Sequence, residues 1–433
     1  MTEKIQRECG PKATEIYYPD TSNWNNYYKC YNYNAYTHEI SGTGSVDSTG
    51  AKDDTKYNTP IVINEGITEL KDGCFNKQSI SSITLPETLT KIGNNCFTNS
   101  KITSIKLPAA LEEIGDSNFP ASISTVQIPP LVSNFPISNF KELPNLVSIT
   151  VHEDSKYYKS INGVLYNYDL SEIIYCPNGK SGVINIPNSV KRIGDACFYK
   201  CKELTAIHLP SSIESIGDCS FMGISLDMLI LPNSITSIGS DCFNNTTIKK
   251  KFSFPKQITT IPNSAFYKAS IPNDRFLQNV VCIEDYAFKD SMLSSNHIFL
   301  EKVRNIGTEA FNGVRGVETI ELYSSLEKIG SKAFSFFQGN LRVNSIAPLR
   351  LDYDVFENES HISLFVPMGA AIIYKNAYPW QSLDEIFEIG IDKEIKSSDE
   401  DEETDCETSV KLDTQICRLR SIANSYTTAD RFF

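Results

Sequence analysis

The sequence predicts an α/β repeat solenoid built around a parallel β-sheet, and three observations carry that expectation. First, a phrase returns: SITLPETLTKIGNNCF, Ser82 to Phe97, comes back 22 residues later as SIKLPAALEEIGDSNF, Ser104 to Phe119. It recurs as AIHLPSSIESIGDCSF to Phe221, LILPNSITSIGSDCF to Phe243 and TIELYSSLEKIGSKAF to Phe334. Second, the closing phenylalanine keeps time. Phe75, Phe97, Phe119 and Phe140 are followed, after a gap of 58, by Phe198, and steps of 22 or 23 then run to Phe356. Third, two aliphatics lie eight and five residues before most anchors, as in Leu89 and Ile92 or Ile213 and Ile216. A fixed period of this length means stacked supersecondary units.

Each unit opens on a short alternating strand. In Ile83-Thr84-Leu85-Pro86 the period of two puts Ile83 and Leu85 on one face and Thr84 on the other. Proline ends the strand, since it has no N–H to give a ladder. The glycine after the second aliphatic (Gly93, Gly115, Gly194, Gly217) marks a tight turn, and the segment leading to the anchor reads as one helical or irregular turn. A single unit cannot bury its own apolar face, so neighbours must cover it. This predicts about 13 coils between Pro60 and Glu388.

The repeats resemble the BspA-like leucine-rich repeats, a family of surface antigens and related proteins, and the likeness spans roughly Pro60 to Trp380. The 58-residue gap holds YYKSINGVLYNYDLSEIIYCPNGKSGVINIP, Tyr157 to Pro187, similar to a hairpin that interrupts many members. Here SINGVLYN and SEIIYCP read as two strands about a turn near Tyr168-Asp169, with Tyr158, Tyr166 and Tyr168 partly exposed. LFVPMGAAIIYKNAYPWQSL, Leu364 to Leu383, resembles the closing unit. The resemblance implies a leucine-rich-repeat-like right-handed array with a parallel concave sheet, a recognition or adhesion role, and exposure at the cell surface. Two stretches depart from the pattern: VSNFPISNF has Phe135-Pro136 in place of Ile-Gly, and Ser270–Val281 lacks a clear strand motif.

The organisation expected is therefore fourfold. Residues 1–59 form a Tyr/Asn-rich N-terminal segment, read as a cap on the first coil, a disordered stretch or an aromatic binding platform. Residues 60–390 form the solenoid, with the hairpin insert at 157–187 and a C-terminal cap at 364–390. Residues 391–408 read as an acidic linker, and 409–433 as a short amphipathic helix or tail with Leu412, Ile416 and Leu419 at helical spacing.

Composition narrows the function classes. The formal net charge is −13, but nine acids against two lysines between Ile391 and Glu407 supply −7 of it. Nucleic acid is not an expected partner, because backbone binding needs clustered Lys and Arg. No stretch approaches the roughly 20 apolar residues of a membrane span, and the opening lacks an apolar signal core. Those two absences point to the cytosol or an unconventional route, against the cell surface that the resemblance implies. Of the 12 cysteines, Cys74, Cys96, Cys197 and Cys242 directly precede an anchor where other copies have Ala265, Ala287, Ala310 and Ala333. Cysteine there is a small buried residue and a reduced thiol.

No chemistry is signalled. The five histidines fall in no metal spacing, Cys197 and Cys201 have no second pair, and no G-x-S-x-G elbow occurs. No catalytic residue, metal or cofactor is expected. The outward column of the strands is what varies. Its candidate protein-binding residues are Lys106, Gln127, His208, Met228, Ile230, Phe299 and Glu321. The reading is a non-enzymatic scaffold, monomeric or weakly self-associating, that binds a protein ligand through this face. A self-assembling structural array and an intracellular scaffold are the alternatives.

Overall fold

The alternating segments do become strands, and each pairs with its counterpart one period away. A computed structural model describes residues 5–8, 13–17, 27–32, 37–47, 59–76, 80–272, 277–357, 361–383 and 385–389. The expected linker and tail lie outside these residues. The protein is a parallel β-solenoid of about 15 turns with very little helix. It divides into two compact units, Met1–Leu226 and Asp227–Phe433.

In the first unit, Ile5–Glu8, Ala13–Tyr17, Tyr27–Asn32 and Thr37–Gly42 form an antiparallel meander. Its last strand then pairs in parallel with Thr59–Ile63, Ile40 opposite Ile63. Parallel stacking thus starts a full period ahead of Pro60, in a stretch where the sequence shows no anchor phrase. Two rows of strands follow. The longer row runs through Thr59–Ile63 and Ile80–Thr84, and again through Ser104–Ile105, Thr125–Ile128 and Ser148–Val151. The shorter row stacks Gly44–Val46, Ile67–Leu70, Lys91–Ile92 and Glu113–Ile114. On the third side, Phe75 N–H donates to the Cys96 carbonyl (3.0 Å) and Phe97 N–H to that of Asn118 (3.1 Å). Backbone groups on all three sides therefore find partners in the next coil, as buried N–H and C=O groups must.

These turns do not become helix. Two residues before most anchors the backbone turns left-handed, as at Asn95 (φ 56°), Ser117 (φ 53°), Ala196 (φ 54°) and Cys219 (φ 55°). A left-handed residue stops helical propagation. Its own N–H and that of the anchor bond across coils instead of four residues back, as Ala196 does to Asp218 (2.7 Å) and Phe198 to Ser220 (2.8 Å). The α part of the α/β expectation shrinks accordingly, to one five-residue helix, Ala371–Lys375, among the described residues. The repeat glycines have normal φ; closeness is what demands them. A Cβ on Gly115 would sit 2.7 Å from Gly93 C and 2.8 Å from Asn94 N of the preceding coil.

The corner carries a polar ladder. Asp72 Oδ1 accepts from Asn94 N–H (2.7 Å), Asn94 Oδ1 from Asp116 N–H (2.7 Å), and Asp116 Oδ1 from the Ser138 hydroxyl (2.5 Å). Under it the anchor rings stack, with Phe75 and Phe97 at 6.0 Å and Phe198 and Phe221 at 5.3 Å between centroids.

The insert differs in detail from one hairpin. Asn162 (φ 52°) and Gly163 (φ 78°) make a turn inside SINGVLYN. The result is three antiparallel strands, Tyr158–Ile161, Val164–Asn167 and Glu172–Tyr175, the last pairing in parallel with Arg192–Ile193. Asn-Gly is the dipeptide a type I′ turn favours. Tyr168 is 48 % exposed and Tyr158 half-buried, but Tyr166, expected to be partly exposed, is only 1 % accessible. Its strand lies between the other two and faces the core. The Tyr175 ring stacks on Phe140 (5.4 Å) and its hydroxyl bonds the Phe140 carbonyl (3.0 Å), so an aromatic continues the ladder through the gap. Tyr158 mends the irregular fourth copy. Its hydroxyl accepts from Phe135 N–H and donates to the Ser133 carbonyl, both at 3.0 Å.

In the second unit the long row runs from Thr247–Ser253 through Ser270–Pro272, Met292–Leu300, Arg315–Leu322, Gly339–Val343 and Ile362–Pro367 to Glu385–Ile389. Ser270–Pro272 is the strand that the sequence obscured. The short row stacks Thr260–Ile261, Cys282–Ile283, Asn305–Ile306 and Lys328–Ile329. The rings of Phe243, Phe266, Phe288, Phe311 and Phe334 follow one another at 5.1 to 5.6 Å. Phe356 then meets Trp380 at 5.4 Å, and the indole N–H donates to the Leu349 carbonyl (2.9 Å).

Candidate functional site

Every long strand turns one column of side chains into the core and the alternate column outward. In the first unit the outward column is small and polar: Thr84, Lys106, Gln127, Thr150, Asn185 and His208 are all exposed. Lys106 Nζ reaches Glu87 Oε1 (3.0 Å), and His208 Nδ1 lies 2.7 Å from Asn185 Oδ1 in the adjacent strand. The Lys106 hydrogen bond, with help from the Ala109 N–H, holds the Glu87 carboxyl below its usual range. Both ends of this pair stand in water, where such bridges contribute little.

The second unit is different. Met228 and Ile230 stand 53 % and 44 % exposed. Further along the row, strand register aligns Phe299, Glu321, Arg342, Phe365 and Phe387. Glu321 is only 6 % accessible although its position points outward. The His297 Nε2–H donates to Glu321 Oε2 (2.7 Å), the Asn344 amide donates to Oε1, and Arg342 Nε lies 3.8 Å from Oε1. Burial alone would push the Glu321 carboxyl up; hydrogen bonds from Asn344, His297 and Tyr323, with Arg342 nearby, outweigh it and hold the group below the usual range. His297, fixed by that bond, stacks on Phe299 at 4.2 Å with the rings 15° from parallel. Phe365 and Phe387 stack at 5.2 Å, and Phe387 is 43 % exposed.

A buried, ionised carboxylate thus orients a histidine, an amide, a phenol and a guanidinium on a solvent face flanked by phenylalanines. Of the residues singled out from sequence, Phe299 and Glu321 meet here, and Met228 and Ile230 lie elsewhere on the same unit. Lys106, Gln127 and His208 belong to the first unit. His297, Tyr323, Arg342 and Asn344 escaped the sequence reading. Each is two residues, or one strand, from a residue it named, and outward residues at that spacing share a face. Among the described residues no cluster of three or more His, Cys, Asp or Glu could hold a metal, and no helix is long and apolar enough to cross a membrane.

These repeats define a class, the leucine-rich repeat arrays. A family model for the BspA type leucine rich repeat region matches residues 53–166, 174–295 and 282–395, and the chain belongs to that family. Among solved structures it is similar to a leucine-rich repeat protein of Eubacterium ventriosum, at 20 % identity and TM-score 0.46, over 72 % of this chain and 92 % of that one. The pneumococcal vaccine antigen PcpA aligns over 90 % of this chain and 99 % of its own, at 16 % identity and TM-score 0.46. A leucine-rich repeat protein of Bacteroides ovatus aligns over 78 % and 98 %, at 19 % and 0.42. No curated protein matches the chain.

Proposed function

We propose that the chain is a non-enzymatic recognition scaffold that binds another protein through the outward face of its long strands. The observation that carries this reading is the network centred on Glu321, which fixes aromatic and cationic side chains on an open face. Rigid aromatic residues and arginine are the side chains that dominate binding energy at protein interfaces. The scaffold proper is 60–390, with 1–59 ahead of it, an acidic linker over 391–408 and a tail over 409–433. Exposure at the cell surface is the location that family membership favours over the cytosol, and it belongs to the same proposal.

The test uses the full chain carrying Phe299→Asp, Phe387→Asp and Ile230→Asp, with Lys106→Glu as a first-unit control and folding checked by circular dichroism. Glu321 is left intact, because replacing a buried, paired carboxylate disturbs the fold itself. A protein ligand found by pull-down from the native source should lose at least tenfold in affinity to the folded triple variant. Unchanged affinity sinks the proposal, and concentration-dependent oligomers of the purified chain without any ligand favour a self-assembling array instead.

A further inference from the structure

Where the insert meets the coil of Phe198, three thiols share one piece of core. Cys176, Cys197 and Cys201 are fully buried and free, beside the buried Tyr166 and Tyr175. Cys176 N–H donates to the Cys197 carbonyl (2.8 Å), which holds the chain after Tyr175 against the next coil. Cys201 Sγ lies 3.4 Å from the Cys176 carbonyl oxygen and 3.6 Å from that of Pro177. Cys176 Sγ lies 3.9 Å from the same Pro177 oxygen, so the two sulfurs approach one carbonyl oxygen. A disulfide between them would bring the sulfurs to about 2.05 Å. The fold does not demand sulfur at either place. Three residues past the anchor other coils carry Ser100, Thr246 or Ser291, and Cys176 lies in the insert.

We propose that Cys176 and Cys201 join in a disulfide when the chain folds in an oxidising environment, stapling the insert to the coil that follows it. The co-reactant is a low-molecular-weight disulfide such as oxidised glutathione. One cysteine thiolate attacks it and forms a mixed disulfide, releasing a glutathione thiolate. The second cysteine thiolate attacks the cysteine sulfur of that mixed bond, forming Cys176–Cys201 and releasing another glutathione thiolate. The two cysteine protons end on the two glutathione molecules. Burial pushes the Cys197 thiol far up, the neighbouring Cys176 side chain together with burial does the same to Cys201, and only the thiolate reacts. The bond therefore forms while this region is still open, and once formed it is shut away from reductant. Cys197 stays a thiol, because its slot under Phe198 is an ordinary core position that alanine fills in other coils.

The experiment refolds the full chain from denaturant in a mixture of reduced and oxidised glutathione, and separately in excess dithiothreitol, followed by non-reducing peptide mapping. The expected result is a Cys176–Cys201 peptide pair in the first sample and two alkylated thiols in the second. The melting midpoint of the oxidised sample should be higher by about 5 °C. Cys201→Ser carries the side chain that other coils accept at that slot. It should fold, leave Cys176 alkylatable in denaturant, and abolish the difference in midpoint. Free thiols at both positions after folding in glutathione, or a bond that uses Cys197, would overturn the proposal, and the wild-type map decides this whatever the variant does.

Discussion

Ahead of most anchor rings lies a side chain small enough to rest against the coil's own backbone. Cys74, Cys96, Cys197 and Cys242 fill the slot in four coils and Ala265, Ala287, Ala310 and Ala333 in four others, all of them buried. Cys96→Ala should therefore change the unfolding free energy by less than about 1.5 kcal/mol. It should change the pH profile more. Burial pushes the Cys96 thiol from 9.0 up to about 12. Between those values the unfolded chain has lost a proton that the native chain keeps, so stability falls as pH rises, by about 1.4 kcal/mol per unit from this one group. Urea unfolding from neutral to alkaline pH should show a shallower alkaline decline in Cys96→Ala than in the parent; equal slopes refute the assignment. The glycine slot answers to a different pressure. A Cβ at Gly307 would meet the Asp285 nitrogen and the Glu284 carbonyl carbon at 2.5 Å. Backbone on the other side cannot step aside, and Gly307→Ala should cost about 1–3 kcal/mol in the same assay.

A coil is mended from outside where its own sequence fails. Phe135-Pro136 leaves a backbone N–H and a carbonyl without a strand partner, and the Tyr158 hydroxyl takes both. Tyr158→Phe keeps the ring and strands those groups, so it should destabilise by about 1–3 kcal/mol; a loss under half of that means water replaces the phenol. Elements of this kind divide cleanly into what the sequence announces and what it hides. Strands such as Ile80–Thr84 and the Phe ladder could be read directly, because period-two alternation and a 22-to-23-residue step are local signals. The second row of strands could not: Lys91–Ile92 or Glu113–Ile114 is only two residues long and exists by virtue of its neighbour. The Asn162-Gly163 turn is legible as an Asn-Gly dipeptide, but reading SINGVLYN as one strand hides it. The Glu321 network was hidden for another reason. Which outward residues become neighbours depends on register between coils, and a single-residue change in spacing resets it.

At the scale of the molecule, polar groups work along the stack more than within a coil. Asp72, Asn94 and Asp116 each bond the coil after their own, and in the second unit Asn263 and Asp285 do the same toward Asp285 and Thr308 (3.1 and 2.7 Å). Stability of such arrays is a sum over units and their contacts, so length should be adjustable in whole periods. Deleting residues 289–311 joins Phe288 to Asn312 and keeps the anchor step at 23. That chain should fold with one cooperative transition and native-like circular dichroism, while deletion of 289–299 alone should leave an insoluble or unfolded product. Equal behaviour of the two deletions would mean that the period has no structural authority.

The corner ladder also shapes how such a chain can descend from a shorter or longer one. Because the corner oxygens of Asp72, Asn94, Asn263 and Asp285 each accept from the backbone of the coil after their own, a coil carries a connector at one end and a matching socket at the other. Unequal crossing-over between two copies of such a gene segment then yields a longer or shorter chain whose joints are already correct. The 22-to-23-residue period is in that sense a unit of inheritance as well as of folding. New outward residues can be tried, duplicated or discarded one coil at a time, without renegotiating the core.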